Sequence, residues 1–338
     1  MLLARSAVLG RSCREFSARA VFASFGDPAS VLRWVVPTDP ERSETKSKLI
    51  GDEVEVEVSA FPVLPEDVRS ILGVSVTRAL TGTAGSVAVG VVKAVGPHAV
   101  GISVNDAVLA TCVVSGAWAK SVVTSSSTTF KIPSSLPPED AAMLPTVLTA
   151  YALLNRPYLG LVAGDVILQT CGDTAVGAAV EALCRVGGFS LVSLPAAPDP
   201  RGDPKLQSAG KVKLAIAQSS GSAVLALSRA LQPRGEICCV LGPFEPLQAA
   251  PAPGGVTVPV SPLIFSGAAV RGFDFSLWAR EKGGASLRAA LGSLESLEAS
   301  GTLSLRALRK NAKVFSAVEV GAAVEAAKSA APVVVSLL

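Results

Sequence analysis

Titratable and aromatic chemistry is scarce in this chain of 338 residues. It has one histidine, two tyrosines and two methionines; aromatic residues make up 5% of it and charged residues 17%. The histidine, His98, follows the turn Gly96-Pro97 with no converging partner readable nearby, so it reads as an exposed loop residue rather than a catalyst or zinc ligand. The six cysteines (13, 112, 171, 184, 238 and 239) show no C-x-x-C spacing. Cys238 and Cys239 are neighbours in a strand-like run and point to opposite faces, which suits no shared metal. No metal site is expected, and Cys171 reads as small core filler. Nor is there a run of about eighteen apolar residues free of charge, so no membrane span is expected. Formal charge is only +3, and no Lys/Arg run interleaves with aromatics, which leaves nucleic-acid binding unsupported. What is abundant is apolar: 49% of the residues, much of it Ala and Val, enough for two domains with sizeable cores.

The first residues have another make-up. Arg5, Arg11 and Arg14 stand among Leu, Ala and Ser with one acid, Glu15, and Arg19 follows. This Arg-rich, acid-poor composition predicts a mitochondrial transit peptide over 1–16, cleaved after Phe16. Its removal takes away three Arg and one Glu, leaving a formal charge near +1.

The chain is organised around Gly164 to Leu194. Val166-Ile167-Leu168 predicts a strand buried on both faces. A small-residue turn runs from Thr170 to Gly177. Ala178 to Val186 predicts a helix with Val180, Leu183, Cys184 and Val186 inward, and Phe189 to Leu194 a second strand. Strand, tight turn, helix and strand form the βαβ unit of a dinucleotide fold, with Thr170, Gly172, Ala175 and Gly177 as cofactor positions. Ala175 stands where a middle glycine is expected. The second strand ends Ser193-Leu194-Pro195, with neither the acid that takes a ribose hydroxyl nor an arginine for a 2′-phosphate; Asp199 and Arg201 are the first charges after it.

Ahead of this unit, Glu53 to Ser59 alternates strictly and predicts a half-buried strand with Glu53, Glu55 and Glu57 on one solvated face. Strands are also expected at 18–35 (two, around Gly26-Asp27-Pro28), Ser86–Val95, after Val104 and at Trp118–Val123. Pro65-Glu66-Asp67 opens a short helix, and Pro138-Glu139-Asp140 one running through Leu154. Beyond the unit, Val212–Ala217 and Glu236–Leu241 predict strands. Between them Ala223–Leu231 predicts a helix ended by Pro233-Arg234-Gly235. A strand is expected in Leu263–Phe275, a helix at Leu287–Leu297 and a closing strand at Val333–Leu337. Segments 195–204 and 243–262 are Pro/Ala-rich, either surface linkers or contacts to a partner.

The order of lobes resembles the medium-chain dehydrogenase/reductase superfamily, and within it the mitochondrial 2-enoyl thioester reductases. The resemblance is carried by Phe25-Gly26-Asp27-Pro28, Leu148-Thr149-Ala150-Tyr151, Gly164-Asp165-Val166-Ile167-Leu168-Gln169, and Pro259 to Phe265 followed by Val270-Arg271-Gly272-Phe273. It implies an α/β protein: a GroES-like β-rich lobe over 17–140 plus 300–338, and a Rossmann-type doubly wound nucleotide-binding lobe over 141–299. The latter is shortened around 194–212.

In that family NADPH reduces a trans-2-enoyl thioester and a tyrosine hydroxyl supplies or relays the proton. The tyrosine position falls near Ser75; the chain's only tyrosines are Tyr151 and Tyr158. A Gly-x-Glu pattern is replaced by Gly85-Ser86-Val87. Asp274 stands where an aromatic usually follows Arg-Gly-Phe, and Ser193 to Ala197 where arginines grip the 2′-phosphate. The resemblance therefore implies no catalytic residue and no bound cofactor, or weakly bound NADP(H). It suggests a structural role among other mitochondrial proteins, in the matrix or on the matrix side of the inner membrane, for instance in a respiratory complex, with a homodimer possible. An active NADPH-dependent enoyl reductase and a quinone-reductase-like enzyme are the alternatives.

Overall fold

Alternating Glu and Val fix the centre of the β-rich part. In the strand Glu53–Pro62, Val54, Val56 and Val58 are buried while Glu53, Glu55 and Glu57 face outward, as strand periodicity requires. Glu57 meets Lys93 at 2.7 Å and Glu55 accepts from the Ser121 hydroxyl at 3.1 Å, so this is a solvated polar face. The structure is a computed structural model that describes residues 17–37, 48–73, 82–112, 115–195, 198–199, 203–218, 221–240, 260–281, 284–329 and 331–337. The transit-peptide reading over 1–16 lies outside them.

The chain divides into two units. The first comprises the described residues up to Pro145 with Ser276–Ser296 and those from Leu305 onward; the second comprises Thr146–Phe275 and Leu297–Ser304. Ser276–Ser296 thus joins the β-rich unit: Arg288 there sits 5.7 Å above the Phe130 ring.

The first unit contributes β1 (Arg19–Phe22), β2 (Leu32–Val35), β3 (Glu53–Pro62), β4 (Gly82–Thr83), β5 (Val87–Val95), β6 (Ala107–Thr111), β7 (Ser121–Ser125) and β8 (Thr129–Lys131). The second contributes β9 (Val166–Gln169), β10 (Ser190–Ser193), β11 (Val212–Gln218), β12 (Leu231–Val240) and β13 (Ala269–Phe273). The chain returns to the first unit as β14 (Lys313–Ser316) and β15 (Val333–Ser336). There the main sheet runs β14-β15-β3-β5-β6-β8, with β7 also on β3, and a small sheet runs β2-β1-β4. Its core holds Trp118, fully buried, stacked on Phe61 at 5.3 Å and donating its indole N–H to the Pro62 carbonyl at 3.3 Å.

In the second unit five parallel strands run β10-β9-β11-β12-β13. Strand order reverses between β9 and β11, and a crevice at such a point, outside the carboxyl ends, is where α/β sheets bind ligands. The six-stranded dinucleotide order has one further strand beyond β10. Among the described residues that strand is absent and β10 is the edge. No helix of the described residues is long and apolar enough to cross a membrane.

Four elements depart from expectation. The helix predicted over Pro138–Leu154 is two, Pro138–Ala141 and Leu144–Leu154. Pro145 has no N–H to give the Ala141 carbonyl, so it is tolerated only in the first turn of a new helix. Pro233-Arg234-Gly235 does not terminate a helix. The helix is Gly221–Ser228, and the triplet is a bulge within β12: Val212 pairs with Leu231 and Leu214 with Glu236, with Arg234 in the left-handed region at φ 63°. Leu263–Phe265 belongs to a helix, Val260–Phe265, that Ser266-Gly267 separates from β13. The strand expected at Trp118 begins at Ser121. The helices Pro204–Ser208, Leu305–Arg309 and Val320–Ala326, and β14, were not anticipated.

Gly85 supports the Trp118 core. It lies at φ 82°, and a Cβ there would overlap the indole. Gly85→Ala is expected to destabilise the chain by about 3 kcal/mol, combining overpacking with a strained backbone. Urea denaturation followed by tryptophan fluorescence reads this as a lower midpoint.

Candidate nucleotide site

β9 delivers the chain into the turn Thr170–Gly177 at the carboxyl end of the sheet, where the Thr170 N–H donates to the Ile216 carbonyl of β11 at 3.0 Å. The Cys171 carbonyl then accepts twice, from the Thr174 N–H at 2.9 Å and the Thr174 hydroxyl at 2.7 Å. The same hydroxyl oxygen accepts from the Gly177 N–H at 3.1 Å, so Thr174 is the N-cap of a thirteen-residue helix, Ala175–Gly187. The helix begins three residues before its expected start, because this cap rather than the apolar rhythm sets it.

The four predicted positions come together here. Gly177 is buried, and a Cβ on it would overlap the Cys171 carbonyl oxygen; this is the glycine that lets the helix approach the strand. Gly172 is exposed, and a Cβ there would lie 3.2 Å from the Ser193 hydroxyl at the end of β10. Ala175, half-buried, is the first helical residue, where its methyl narrows the approach to the helix N-terminus. Thr170 is buried. The turn fits a pyrophosphate at the exposed Gly172 and at the positive end of the helix dipole, with Ala175 the one constriction, while Gly177 serves the packing of helix on strand. The Gln169 side-chain amide crosses to donate to the Ser193 hydroxyl at 2.9 Å.

Cys171 is the turn's own thiol, and it is inert filler. Its S–H donates to the Gln169 side-chain oxygen at 3.5 Å, and burial pushes its pKa up to about 12. Burial does the same to Cys184 and Cys238.

A second polar cluster sits at the opposite, amino end of the strands. Glu236, 1% exposed, pairs with Arg156 at 2.7 Å and Arg271 at 2.9 Å, and accepts from the Tyr158 hydroxyl at 2.8 Å. Arg156 also donates to Tyr158 at 2.9 Å and to the Cys238 sulfur at 3.0 Å. Burial raises the Tyr158 pKa, against the pull of Arg156, leaving a weaker acid than a free phenol. Tyr151 lines a cavity of about 390 Å³ at this same end, with Leu154, Leu161, Leu183, Val186 and Phe189. Neither tyrosine is at the carboxyl-end crevice. Sequence reasoning missed this cluster because Arg156 and Glu236 are far apart in the chain.

Of the remaining candidates, Ser75 lies outside the described residues, and His98 is exposed. No group of His, Cys, Asp or Glu among the described residues could hold a metal. Sequence reasoning also missed Lys205, whose ammonium donates to the Ser193 carbonyl at 3.3 Å. The available signal was Asp203-Pro204, a helix cap followed by proline at the first helical position.

With thiol pKa values of about 12, little thiolate exists at pH 8. Iodoacetamide at pH 8 is expected to leave Cys171, Cys184 and Cys238 unlabelled in the folded chain and to modify all three in urea. Peptide mass spectrometry decides it, and rapid labelling of native Cys171 would contradict the filler role.

No family model matches the chain. A mitochondrial enoyl-[acyl-carrier-protein] reductase of Dictyostelium discoideum is 30% identical over 297 residues, 78% of this chain and 80% of the relative. The human mitochondrial enoyl-[acyl-carrier-protein] reductase is 27% identical over 203 residues, 57% of this chain and about half (52%) of the relative. Among solved structures, the mitochondrial 2-enoyl thioester reductase Etr1p/Etr2p heterodimer from Candida tropicalis matches with a TM-score of 0.73 at 18% identity, covering 95% of this chain and 99% of that one. An Etr1p mutant in complex with NADP and crotonyl-CoA matches with the same score, identity and coverage. These structural matches show the fold. Together with the Dictyostelium relative, they place a GroES-like and a Rossmann-type lobe in one chain, which belongs to the enoyl thioester reductase family of the medium-chain dehydrogenases/reductases.

Proposed function

We propose that this chain is a mitochondrial member of the family that has lost the tyrosine-dependent proton step. It serves as an accessory subunit of a mitochondrial assembly, such as a respiratory complex, and binds NADP(H) at most weakly. One observation carries the reading: both tyrosines of the chain lie at the amino end of the second unit's sheet, Tyr158 with its hydroxyl engaged by Glu236 and Arg156, while the family's donor position falls near Ser75. NADPH, when bound, supplies a hydride; the chain's part would be to seat it by Gly172 and the helix N-terminus and to give the proton. A serine hydroxyl is a much poorer acid than a phenol.

The Dictyostelium and human enoyl-[acyl-carrier-protein] reductases are mitochondrial, and the Arg-rich residues 1–16 support import to the matrix or the matrix side of the inner membrane. A homodimer is compatible with the open edge of β13, beside which Ile264 and Phe265 are 67% and 86% exposed. Two edges can pair across a two-fold axis.

Two measurements test the proposal. Purified chain given NADPH and crotonyl-CoA is expected to show no nicotinamide oxidation above the uncatalysed rate, under conditions where the human relative turns over. Turnover comparable to the human relative would overturn the loss of chemistry. In native gels of mitochondria, analysed by mass spectrometry, the chain is expected to migrate with a large assembly. Migration only as monomer or dimer would overturn the accessory role.

A further inference from the structure

Packed side chains leave few voids larger than a water molecule. The cavity at the amino end of the second unit's sheet is about 390 Å³, within the range that small ligands occupy. Its walls all belong to that unit: the end of helix Leu144–Leu154 with the loop after it, the end of helix Ala175–Gly187 with Phe189, and Leu297. Most of the wall is aliphatic, from Leu154, Leu161, Leu183, Val186 and Leu297. The loop is braced from outside the space. Arg156 at its start pairs with Glu236 at 2.7 Å, and Lys213 of β11 donates to the Gly160 carbonyl at 3.0 Å and to Asp165 at 2.8 Å. Farther on, the Gly164 N–H donates to the Gly188 carbonyl at 2.8 Å, which ties the loop to the end of the facing helix. Walls held in this way make the space preformed.

Polar chemistry on the wall is confined to Tyr151, Asn155 and Arg156, and no carboxylate of the described residues lines the space. Arg156 spends its donors on Glu236, Tyr158, Cys238 and the Leu153 carbonyl, so it brings charge rather than a free N–H. Behind it Glu236 is the single carboxylate between two guanidiniums, Arg156 and Arg271, which leaves one positive charge unbalanced. The nearby acids do not cancel it: Asp165 pairs with Lys213, Glu181 pairs with Arg185, and Glu298, next to Leu297, is not on the wall. The Asn155 amide is exposed and makes no side-chain hydrogen bond among the described residues. Aliphatic walls reward a flexible hydrocarbon chain by the area it buries, and a donor amide beside a net positive cluster selects an anionic head.

We propose that this cavity binds a medium-chain aliphatic carboxylate, its chain among Leu154, Leu161, Leu183 and Val186 and its head at Asn155, beside the Arg156–Glu236–Arg271 cluster. The site lies at the opposite end of the sheet from the turn Thr170–Gly177 and shares no residue with it. It therefore rests neither on the loss of the proton step nor on NADP(H) binding.

The test is calorimetry on the full chain with hexanoate, octanoate and decanoate, each below its micellar concentration, and with 1-octanol and octylammonium. Each added methylene is expected to tighten binding about fourfold until the chain fills the cavity. Octanoate is expected to bind about tenfold more tightly than 1-octanol, with octylammonium weakest and the preference for octanoate shrinking as salt rises. Val186→Trp, which fills the space, is expected to weaken octanoate and 1-octanol alike by about tenfold or more. Asn155→Asp is expected to weaken octanoate about tenfold and leave 1-octanol within about twofold, a split that a merely structural role would not produce. A melting curve checks that each variant folds, and Leu161→Trp, on the loop wall, is the second filler if Val186→Trp does not. The inference is overturned if the wild-type chain binds none of these ligands at millimolar concentration, if it binds 1-octanol as tightly as octanoate, or if a folded filler variant binds octanoate undiminished. Any of these leaves the accessory role standing, whereas crotonyl-CoA turnover would remove the non-catalytic reading and leave this site untouched.

Discussion

One backbone carbonyl, that of Cys171, holds the nucleotide lobe's turn together. It takes the N–H and the hydroxyl of Thr174, and the helix from Ala175 presses so close that only a glycine fits opposite it at 177. That contact fixes the angle between β9 and its helix, and with it the direction in which the helix N-terminus points. Gly177 is therefore demanded by packing with or without a phosphate, and says little about the ligand. Ala175, whose side chain flanks the helix N-terminus, and the residues at the end of β10 carry the ligand information.

Among the described residues the sheet stops at β10, which sets the chemistry of that end. A sheet that stops at β10 exposes backbone groups that another strand would have paired, and proteins cover such edges with short strands and lysines. β10 is four residues long, and Lys205 donates to its last carbonyl. That side chain thus covers part of the edge.

Elements were legible where one force dominated locally. Strict alternation fixed β3, and apolar β9 with its small-residue turn and capped helix fixed the βαβ unit. Legibility failed where a proline had two readings. Pro145 looks like part of a long helix but starts a new one, and Pro233 looks like a helix stop but sits in a bulge that only pairing with β11 reveals. The turn residues were readable because they are contiguous. Lys205 and the Glu236 cluster were not, since each depends on side chains that the parallel topology brings together from separate loops.

The placement of ionisable groups in the second unit also separates binding from chemistry. At the amino ends, Glu236 is buried against two arginines and a phenol, an arrangement whose desolvation demands complete pairing and which holds the start of β12 to β13 and to the loop before β9. At the carboxyl ends, the described side chains around the turn are hydroxyls at Thr170, Thr174 and Ser193, an amide at Gln169, the exposed carboxylate of Asp173 and a thiol at Cys171 held near pKa 12. None of the hydroxyls, the amide or the thiol releases a proton readily near neutral pH. Both tyrosines of the chain belong to the amino end, Tyr158 in the Glu236 cluster and Tyr151 at the cavity beside it, so the carboxyl end of the second unit's sheet has no phenol.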